Sequence, residues 1–279
     1  LAERLGVPIR AVELHRFPDG ESLVRVAEPA RDAVLYRSLD HPNDKLIEVV
    51  LAASALRDNG AEHLVLVAPY LPYMRQDVAF RPGEAVSQRV IGAWLAGHFD
   101  AIVAVEPHLH RTDDLAKVFP GCASVAVGAG PALADVLRTD GAGARTVVLG
   151  PDEESAPLAA ATAEPLGLDW GVGEKIRSGD RDVAVTLPES LDLNGRPVVI
   201  VDDVVSSGMT LIDCASAALA RGAGSVEALA VHALYPDDVS PLLDAAGIAR
   251  IRSGDGVPHR SNAVSLHGVL AAALDDFMQ

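Results

Sequence analysis

Two adjacent carboxylates, Asp202 and Asp203, follow a branched apolar run in the stretch "VVIVDDVVSSGMT", residues 198–210. A single acid after a strand is usually a helix cap or a turn residue. Here the acids precede a loop of small and hydroxyl residues that includes Ser206, Ser207, Gly208 and Thr210. Such a loop before a helix directs several backbone N–H groups at one point and can bind a phosphate without cationic side chains. The stretch therefore predicts a sugar-phosphate site, in which the carboxylates accept hydrogen bonds from sugar hydroxyls.

The composition limits the classes of protein to which the chain can belong. Its 279 residues, 49% of them apolar, predict two domains with substantial cores, because single domains usually hold about 100–200 residues. The formal net charge of −16 disfavours broad binding to nucleic acid, which depends on clustered Lys and Arg. A phosphate ligand would therefore have to be held locally.

The sequence gives no signal for a membrane or secreted setting. No apolar run approaches the roughly 18 residues that a membrane helix needs. The opening segment "LAERLGVPIR" lacks the basic and apolar regions of a secretory signal, and Cys122 and Cys214 form no CxxC pair. We therefore expect a cytoplasmic protein with no membrane partner, no disulfide framework and no zinc site. Because the sequence begins with Leu1 rather than Met, we also expect residues upstream.

Short apolar runs alternate with helical patterns along the chain. The runs "HLVLVA", "AIVAVE", "TVVLG", "PVVIVDD" and "SVEALAVHAL" are typical of strands in a parallel sheet that is covered on both faces. Helices are predicted at residues 44–59, 87–96 and 210–220. The sequence therefore predicts an α/β fold.

A Gly- and Ala-rich stretch, "TDGAGART" at residues 139–146, is interpreted as the seam between two α/β halves. The predicted domains are residues 1–138 and 139–261. Residues 262–279 are expected to pack back on the first domain.

Polar or charged residues follow four of the predicted strands. The strand "LVLVA" leads to "PYLPYMRQD", "AIVAV" to "EPHLHR", "TVVLG" to "PDEES", and "VVIV" to "DDVVSSGMT". Ligands of open parallel sheets bind beyond the carboxyl ends of the strands. Four such strand ends predict two active-site edges.

The stretch at residues 198–210 resembles the phosphoribosyl-binding loop that phosphoribosyltransferases share with ribose-phosphate pyrophosphokinases. The loop alone does not choose between these enzymes. The upstream motifs resemble those of the pyrophosphokinases, in archaeal-like variants and in unbroken order: "RFPDGE", "MRQD", "FRPGEAVS", "VEPHLH", "GPDEES" and "EKIRSGDRDV". Taken alone, "RFPDGE" would be a surface turn and "EKIRSGDRDV" a solvated charged hairpin. A phosphoribosyltransferase would not explain the motifs upstream of the loop.

The resemblance implies two similar phosphoribosyltransferase-type domains and a nucleotide site. It implies that Phe17, Asp19 and Glu21 meet the adenine of an ATP bound to a neighbouring subunit. The other implied ATP-binding residues are Arg75, Gln76, Asp77, Arg81 and His108. Magnesium is implied at His108, in a motif with Glu106 where Asp is usual, and at Asp152.

The resemblance also implies the residues that act on the transferred group and on the sugar. Lys175 and Arg177 match the pair that closes over the transferred phosphates, with Ile176 between them in place of a frequent Arg. Cations placed against the charge that develops on a phosphoryl group are the expected source of catalysis. The implied ribose-5-phosphate site comprises Asp202, Asp203, Ser206, Ser207, Gly208, Met209 and Thr210, where Ser206 and Met209 replace the Asp and Gly of many relatives.

The implied reaction transfers the β,γ-diphosphoryl group of Mg-ATP to the anomeric hydroxyl of ribose 5-phosphate, and gives 5-phosphoribosyl 1-pyrophosphate and AMP. No GxxxxGK[ST] motif is present, and this family binds ATP without one. The alternatives are a phosphoribosyltransferase and a non-catalytic regulatory subunit of a pyrophosphokinase. The expected partners are ATP, ribose 5-phosphate and further copies of the chain, in a homodimer or a larger homo-oligomer that shares the ATP site.

Overall fold

The computed structural model describes residues 1–112, 114–178 and 182–277, and of residues 175–178, 182–184 and 276 it describes the backbone alone. The helices and strands are, in chain order, α1 Ala2–Leu5, β1 Glu13–Arg16, β2 Ser22–Arg25, β3 Asp32–Tyr36, α2 Pro42–Asp58, β4 His63–Ala68, α3 Ser87–Ala96, β5 Ala101–Val105, β6 Ala123–Val127, α4 Gly130–Thr139, β7 Val147–Gly150, α5 Ala156–Ala163, β8 Asp169–Val172, β9 Glu174–Ser178, β10 Asp182–Thr186, β11 Pro197–Val205, α6 Met209–Ala220, β12 Ser225–Ala233, α7 Ser240–Ala245, β13 Ile248–Gly254, β14 Asn262–Val264 and α8 His267–Leu274.

The chain forms two compact units, Leu1–Val127 with His267–Gln279, and Gly128–Leu266. The stretch interpreted as a seam, residues 139–146, lies between α4 and β7 inside the second unit. The predicted domain boundaries after residues 138 and 261 stay predictions.

The first unit is built on a parallel sheet of four strands in the order β3-β4-β5-β6. The central strands β4 and β5 are buried along almost their whole length, which explains their continuous apolar sequences. α2 buries Leu46, Val49 and Ala53 in the core of this unit, and α8 contacts β5 and β6. Because the strands run parallel, the loops after β4 and β5 lie at the same edge of the sheet.

The second unit contains a parallel sheet of six strands in the order β14-β13-β12-β11-β7-β8. β11 pairs with β7 on one side and with β12 on the other, so its carboxyl end lies near the middle of the edge. α6 buries Leu211, Cys214 and Ala218 against this sheet. The prediction of an α/β fold with mainly parallel sheets flanked by helices is confirmed.

Two antiparallel hairpins lie outside these sheets. β1 pairs with β2, which contacts α2 in the first unit. β9 pairs with β10 in the second unit. Within the described residues, no helix combines the length and the apolar character needed to cross a membrane.

Candidate active site

The loop after β11 is the predicted phosphate cradle. Gly208 has a φ of 75°, in the left-handed region that favours glycine, and α6 begins at the next residue. The Ser207 hydroxyl accepts a hydrogen bond from the Met209 backbone N–H at 3.4 Å. Residues 206–210 therefore lead directly to the amino end of a twelve-residue helix, where backbone N–H groups favour an anion.

Met209 fits this loop without a left-handed backbone. It is the first residue of α6 and has a helical backbone, and its side chain points outward with 51% of the residue exposed. The left-handed conformation belongs to Gly208 instead.

Asp202 and Asp203 are the sixth and seventh residues of β11 and are half-buried. The carboxylate of Asp202 accepts the Asp203 backbone N–H at 3.0 Å, and that of Asp203 accepts the Val204 N–H at 2.6 Å. A carboxylate offers about four acceptor positions, so one side chain can accept several hydrogen bonds at once.

Asp152 lies just beyond the carboxyl end of β7, the strand next to β11. Its backbone N–H donates to the Ser155 hydroxyl at 3.3 Å, and that hydroxyl donates to the Asp152 carbonyl at 2.6 Å. Gly150 is needed in this turn, because a Cβ there would come within 2.3 Å of Ser155 Oγ. The turn thus holds an acid at the same edge of the sheet as Asp202.

The thiol of Cys214 on α6 is buried in the same unit as these acids. Burial raises its pKa, the charges of Asp202, Asp152 and Asp213 add to the rise, and together they bring the pKa to about 12. The carboxylates of Asp152, just after β7, and of Asp202, within β11, therefore both influence this thiol.

The two predicted catalytic residues lie on the hairpin of β9 and β10. Lys175 and Arg177 belong to β9, where their backbones pair with Val185 and Val183 of β10. Their side chains lie outside the described part of the structure.

The loop after β5 has an unusual backbone. Glu106 and His108 have φ values of 39° and 56°, which are uncommon for residues other than glycine and which cluster at functional sites. His108 Nδ1 lies 2.8 Å from His110 Nε2, and the two rings meet edge to face. The side chains of these two histidines, which are two positions apart in the sequence, are therefore in direct contact.

Asp77, in the loop after β4, is ion-paired with a residue of the loop after β5. Arg111 Nη1 donates to both carboxylate oxygens of Asp77, at 3.0 and 3.4 Å, and the Asp77 side chain is only 5% exposed. Arg75 is exposed and Gln76 is half-buried. Arg111 is absent from the predicted site. The signal that could have found it is a cation directly after the second histidine of "EPHLHR".

Arg81 lies in a turn that Glu84 closes. The Glu84 carboxylate accepts the backbone N–H groups of Phe80 and Arg81 at 2.9 and 3.1 Å. Arg81 is exposed, as is the Phe80 ring, with the Arg111 guanidinium 5.6 Å from the ring centre.

The predicted adenine-binding residues occupy the turn between β1 and β2. The Phe17 backbone N–H donates to the Glu21 carbonyl at 2.8 Å, and Asp19 accepts the Glu21 N–H at 3.2 Å. The side chains of Phe17, Asp19 and Glu21 are all exposed. The two units together hold all of the predicted site residues, and the assignment of each one to a ligand stays a prediction.

Parallel α/β units, together with two adjacent acids that lead through a glycine turn into a helix, are typical of a phosphoribosyltransferase-type protein. Residues 1–97 match the N-terminal domain of ribose phosphate pyrophosphokinase, and residues 126–240 match the phosphoribosyl transferase domain. A ribose-phosphate pyrophosphokinase from Methanopyrus kandleri is 36% identical over 279 residues, which cover 99% of this chain and 94% of the relative. Ribose-phosphate pyrophosphokinase 2 of Archaeoglobus fulgidus is 33% identical over 97% of this chain and 93% of its own. The chain belongs to the ribose-phosphate pyrophosphokinase family.

A solved structure has the same fold. The phosphoribosylpyrophosphate synthetase of Mycobacterium smegmatis aligns with a TM-score of 0.84 and 24% identity, over 99% of this chain and 93% of that protein. The prediction of a pyrophosphokinase-type chain with two phosphoribosyltransferase-type domains is therefore confirmed.

Proposed function

We propose that the protein is a ribose-phosphate diphosphokinase, which converts Mg-ATP and ribose 5-phosphate into 5-phosphoribosyl 1-pyrophosphate and AMP. The observation that carries the proposal is the run of Asp202 and Asp203 into the Gly208 turn at the amino end of α6. In the reaction the anomeric hydroxyl attacks the β-phosphorus, the bond from that phosphorus to the α,β-bridging oxygen breaks, and the hydroxyl proton is released.

Ribose 5-phosphate is proposed to bind along residues 202–210. Asp202 and Asp203 accept hydrogen bonds from the ribose hydroxyls. The backbone of residues 206–210, with the hydroxyls of Ser206, Ser207 and Thr210, binds the 5-phosphate. Because the acids precede the cradle in one continuous segment, the sugar is held by both ends, and such positioning supplies much of the rate enhancement in phosphoryl transfer.

ATP is proposed to bind at the edge of the first unit that carries the loops after β4 and β5. Arg75, Gln76, Arg81 and His108 are the proposed contacts, with Asp77 in the same loop. Phe17, Asp19 and Glu21 are exposed on their turn and are proposed to complete the ATP site of a second copy of the chain, in a homodimer or a larger homo-oligomer.

The donor set fits magnesium in the second unit. Magnesium prefers oxygen ligands, and carboxylates are present just beyond β7, at Asp152, and in the last half of the neighbouring β11, at Asp202. Asp152 is the proposed protein ligand there, and the imidazole of His108 is proposed to support a second, phosphate-bound magnesium in the first unit. When bound, magnesium neutralises charge on the phosphate oxygens.

Lys175 and Arg177 are the proposed catalytic residues. A cationic side chain lowers the barrier when it meets charge that develops on the transferred group. Both residues belong to β9, at alternate positions along the strand.

The test is phosphorus NMR of the purified full chain with ATP, magnesium, inorganic phosphate and ribose 5-phosphate. We expect AMP and phosphoribosyl pyrophosphate to accumulate, and Lys175→Ala to slow turnover about a hundredfold or more. Arg145→Ala, which changes an exposed cation of the second unit, is the matched control and should retain activity. Intact ATP with the unmodified protein would overturn the proposal.

A further inference from the structure

Arg111 joins two loops that the proposed function uses. It lies after β5 and binds the carboxylate of Asp77, which lies after β4, through one guanidinium nitrogen that contacts both oxygens. Its Cζ also lies 5.6 Å from the centre of the Phe80 ring, a distance at which a guanidinium is attracted to an aromatic face. One side chain thus contacts both ends of the segment from Asp77 to Phe80.

A second link between the same loops comes from the next residue. The Thr112 hydroxyl donates to Gln88 Oε1 at 3.3 Å, and the Gln88 backbone N–H donates to the Gln76 carbonyl at 3.2 Å. Gln88 is buried at the start of α3, so it is a fixed point for both loops. Arg111 therefore contacts side chains of the loop after β4 directly, and Thr112 is linked to the backbone of that loop through Gln88.

Asp77 and Arg111 differ in how far their side chains are buried. The Asp77 side chain is 5% exposed, whereas the Arg111 side chain is 55% exposed. A carboxylate removed from water must be paired and hydrogen-bonded, or its burial is strongly unfavourable. Without Arg111, the Asp77 side chain would therefore move toward water. The preceding residues of the same loop, Arg75 and Gln76, would move with it.

We propose that Arg111 is a positioning residue for the nucleotide-binding loop, in which it fixes Asp77 and the Phe80 turn so that Arg75, Gln76 and Arg81 are held in the geometry that binds ATP. The inference rests on the proposed function of that edge of the sheet. Arg111 influences ATP binding through its ion pair with Asp77, and the Asp77 carboxylate holds the Arg111 guanidinium in place.

The experiment combines steady-state kinetics with direct equilibrium binding of a fluorescent ATP analogue to the full-length protein. The variants are Arg111→Ala, Arg111→Lys, Asp77→Asn and the double variant Arg111→Ala with Asp77→Asn. Arg31→Ala is the matched control, because Arg31 forms an exposed ion pair with Glu62 in the same unit.

We expect Arg111→Ala to raise the KM for ATP and the dissociation constant of the analogue about ten- to hundredfold, with the KM for ribose 5-phosphate changed less than about twofold. Arg111→Lys should recover part of the affinity, because it restores the charge without the planar fork. In the Asp77→Asn background the Arg111→Ala change should have a much smaller effect, as coupled residues are non-additive. Arg31→Ala should change neither constant.

The inference would be overturned, while the proposed function stands, by an unchanged KM for ATP in Arg111→Ala or by additive effects in the double variant. Equal losses for both substrates with a lowered unfolding midpoint would indicate a merely structural pair and would also overturn it. If the unmodified protein fails to turn over ATP, the proposed function fails, and the binding titration still decides the role of Arg111. Absence of analogue binding by the unmodified protein would overturn both.

Discussion

Gly208 lies directly against Val239: a Cβ placed on Gly208 would come within 2.9 Å of Val239 Cγ1 and 3.2 Å of Leu243 Cδ2. The residue also has a φ of 75°. The turn before α6 thus excludes a side chain for two independent reasons, backbone conformation and packing. The proposed phosphate cradle therefore depends on contacts with a segment about thirty residues further along the chain.

Replacement of this glycine should damage both stability and sugar-phosphate binding. We expect Gly208→Ala to lower the free energy of unfolding by about 1–3 kcal/mol through backbone strain and steric overlap, as measured by urea denaturation. The KM for ribose 5-phosphate should rise with it. Gly143→Ala is the control, because a Cβ at Gly143 meets nothing within 4 Å. Equal effects of the two changes would contradict the proposed role of the turn.

The paired acids should determine affinity for the sugar. Hydrogen bonds to a charged group contribute about 1.5–3 kcal/mol, so Asp203→Asn should raise the KM for ribose 5-phosphate about tenfold or more. The KM for ATP should stay nearly constant, because ATP is proposed to bind the first unit. Asp244→Asn, an exposed acid on α7, is the control. A parallel rise in both KM values would argue against a sugar contact by Asp203.

The fold was predictable because its signals are local. The helix predicted at residues 44–59 is α2, Pro42–Asp58, which starts with proline at its first position and is followed by Gly60 with a φ of 97°. The helix predicted at 87–96 is α3, with the same bounds. The buried strands β4 and β5 are continuous apolar runs, and such runs indicate strands covered on both faces.

Contacts between distant residues were not predictable in this way. Arg111 and Asp77 are 34 positions apart, and neither residue type indicates that the other is its partner. The positive φ of Glu106 and His108 is likewise not indicated by the sequence, because only a few per cent of non-glycine residues adopt it, even though His does so more often than Glu. The motifs predict a candidate site from local sequence, whereas the interactions between its loops depend on the folded structure.

The two thiols should be unreactive while the protein is folded. Burial raises the pKa of the Cys122 thiol to about 11 and that of Cys214 to about 12, so little thiolate exists at pH 8. We expect a thiol reagent at pH 8 to label neither cysteine in the native protein and to label both in urea. Cys214→Ala should leave one reactive group under denaturing conditions. Rapid labelling of the native protein would contradict the burial of these side chains.

Stability should fall in acid partly because of Asp100. Burial alone would raise the pKa of this carboxyl, but hydrogen bonds from Arg57 and from the Leu64 backbone N–H outweigh it and lower the pKa. A lowered pKa contributes stability above the ordinary value of about 4, and this contribution is lost as the pH falls through the folded-state value. Urea unfolding between pH 7 and pH 3 should thus show a smaller pH dependence for Asp100→Asn than for Asp58→Asn, an exposed aspartate of the same unit. Identical profiles for the two variants would refute this role.

Four charges join the end of α4 to the second sheet. Arg252 Nη2 lies 2.6 Å from Asp140 Oδ2 and 3.5 Å from Glu227 Oε2, and Arg250 contacts the same two acids at 3.2 and 2.8 Å. The Arg252 side chain is only 11% exposed, whereas that of Arg250 is 48% exposed. Water screens the outer arginine, so the two similar residues should differ in their contribution to stability.

Alanine substitutions at the two positions test this difference. Arg252→Ala should lower the free energy of unfolding by about 2 kcal/mol, because it leaves two carboxylates near each other with one partly exposed cation. Arg250→Ala should lower it by about 0.5 kcal/mol, as expected for an exposed pair. The loss at Arg250 should shrink in 1 M salt, since exposed charges are screened over a shorter distance, and the loss at Arg252 should persist. Equal losses, or equal salt sensitivity, would show that burial does not separate these two ion pairs.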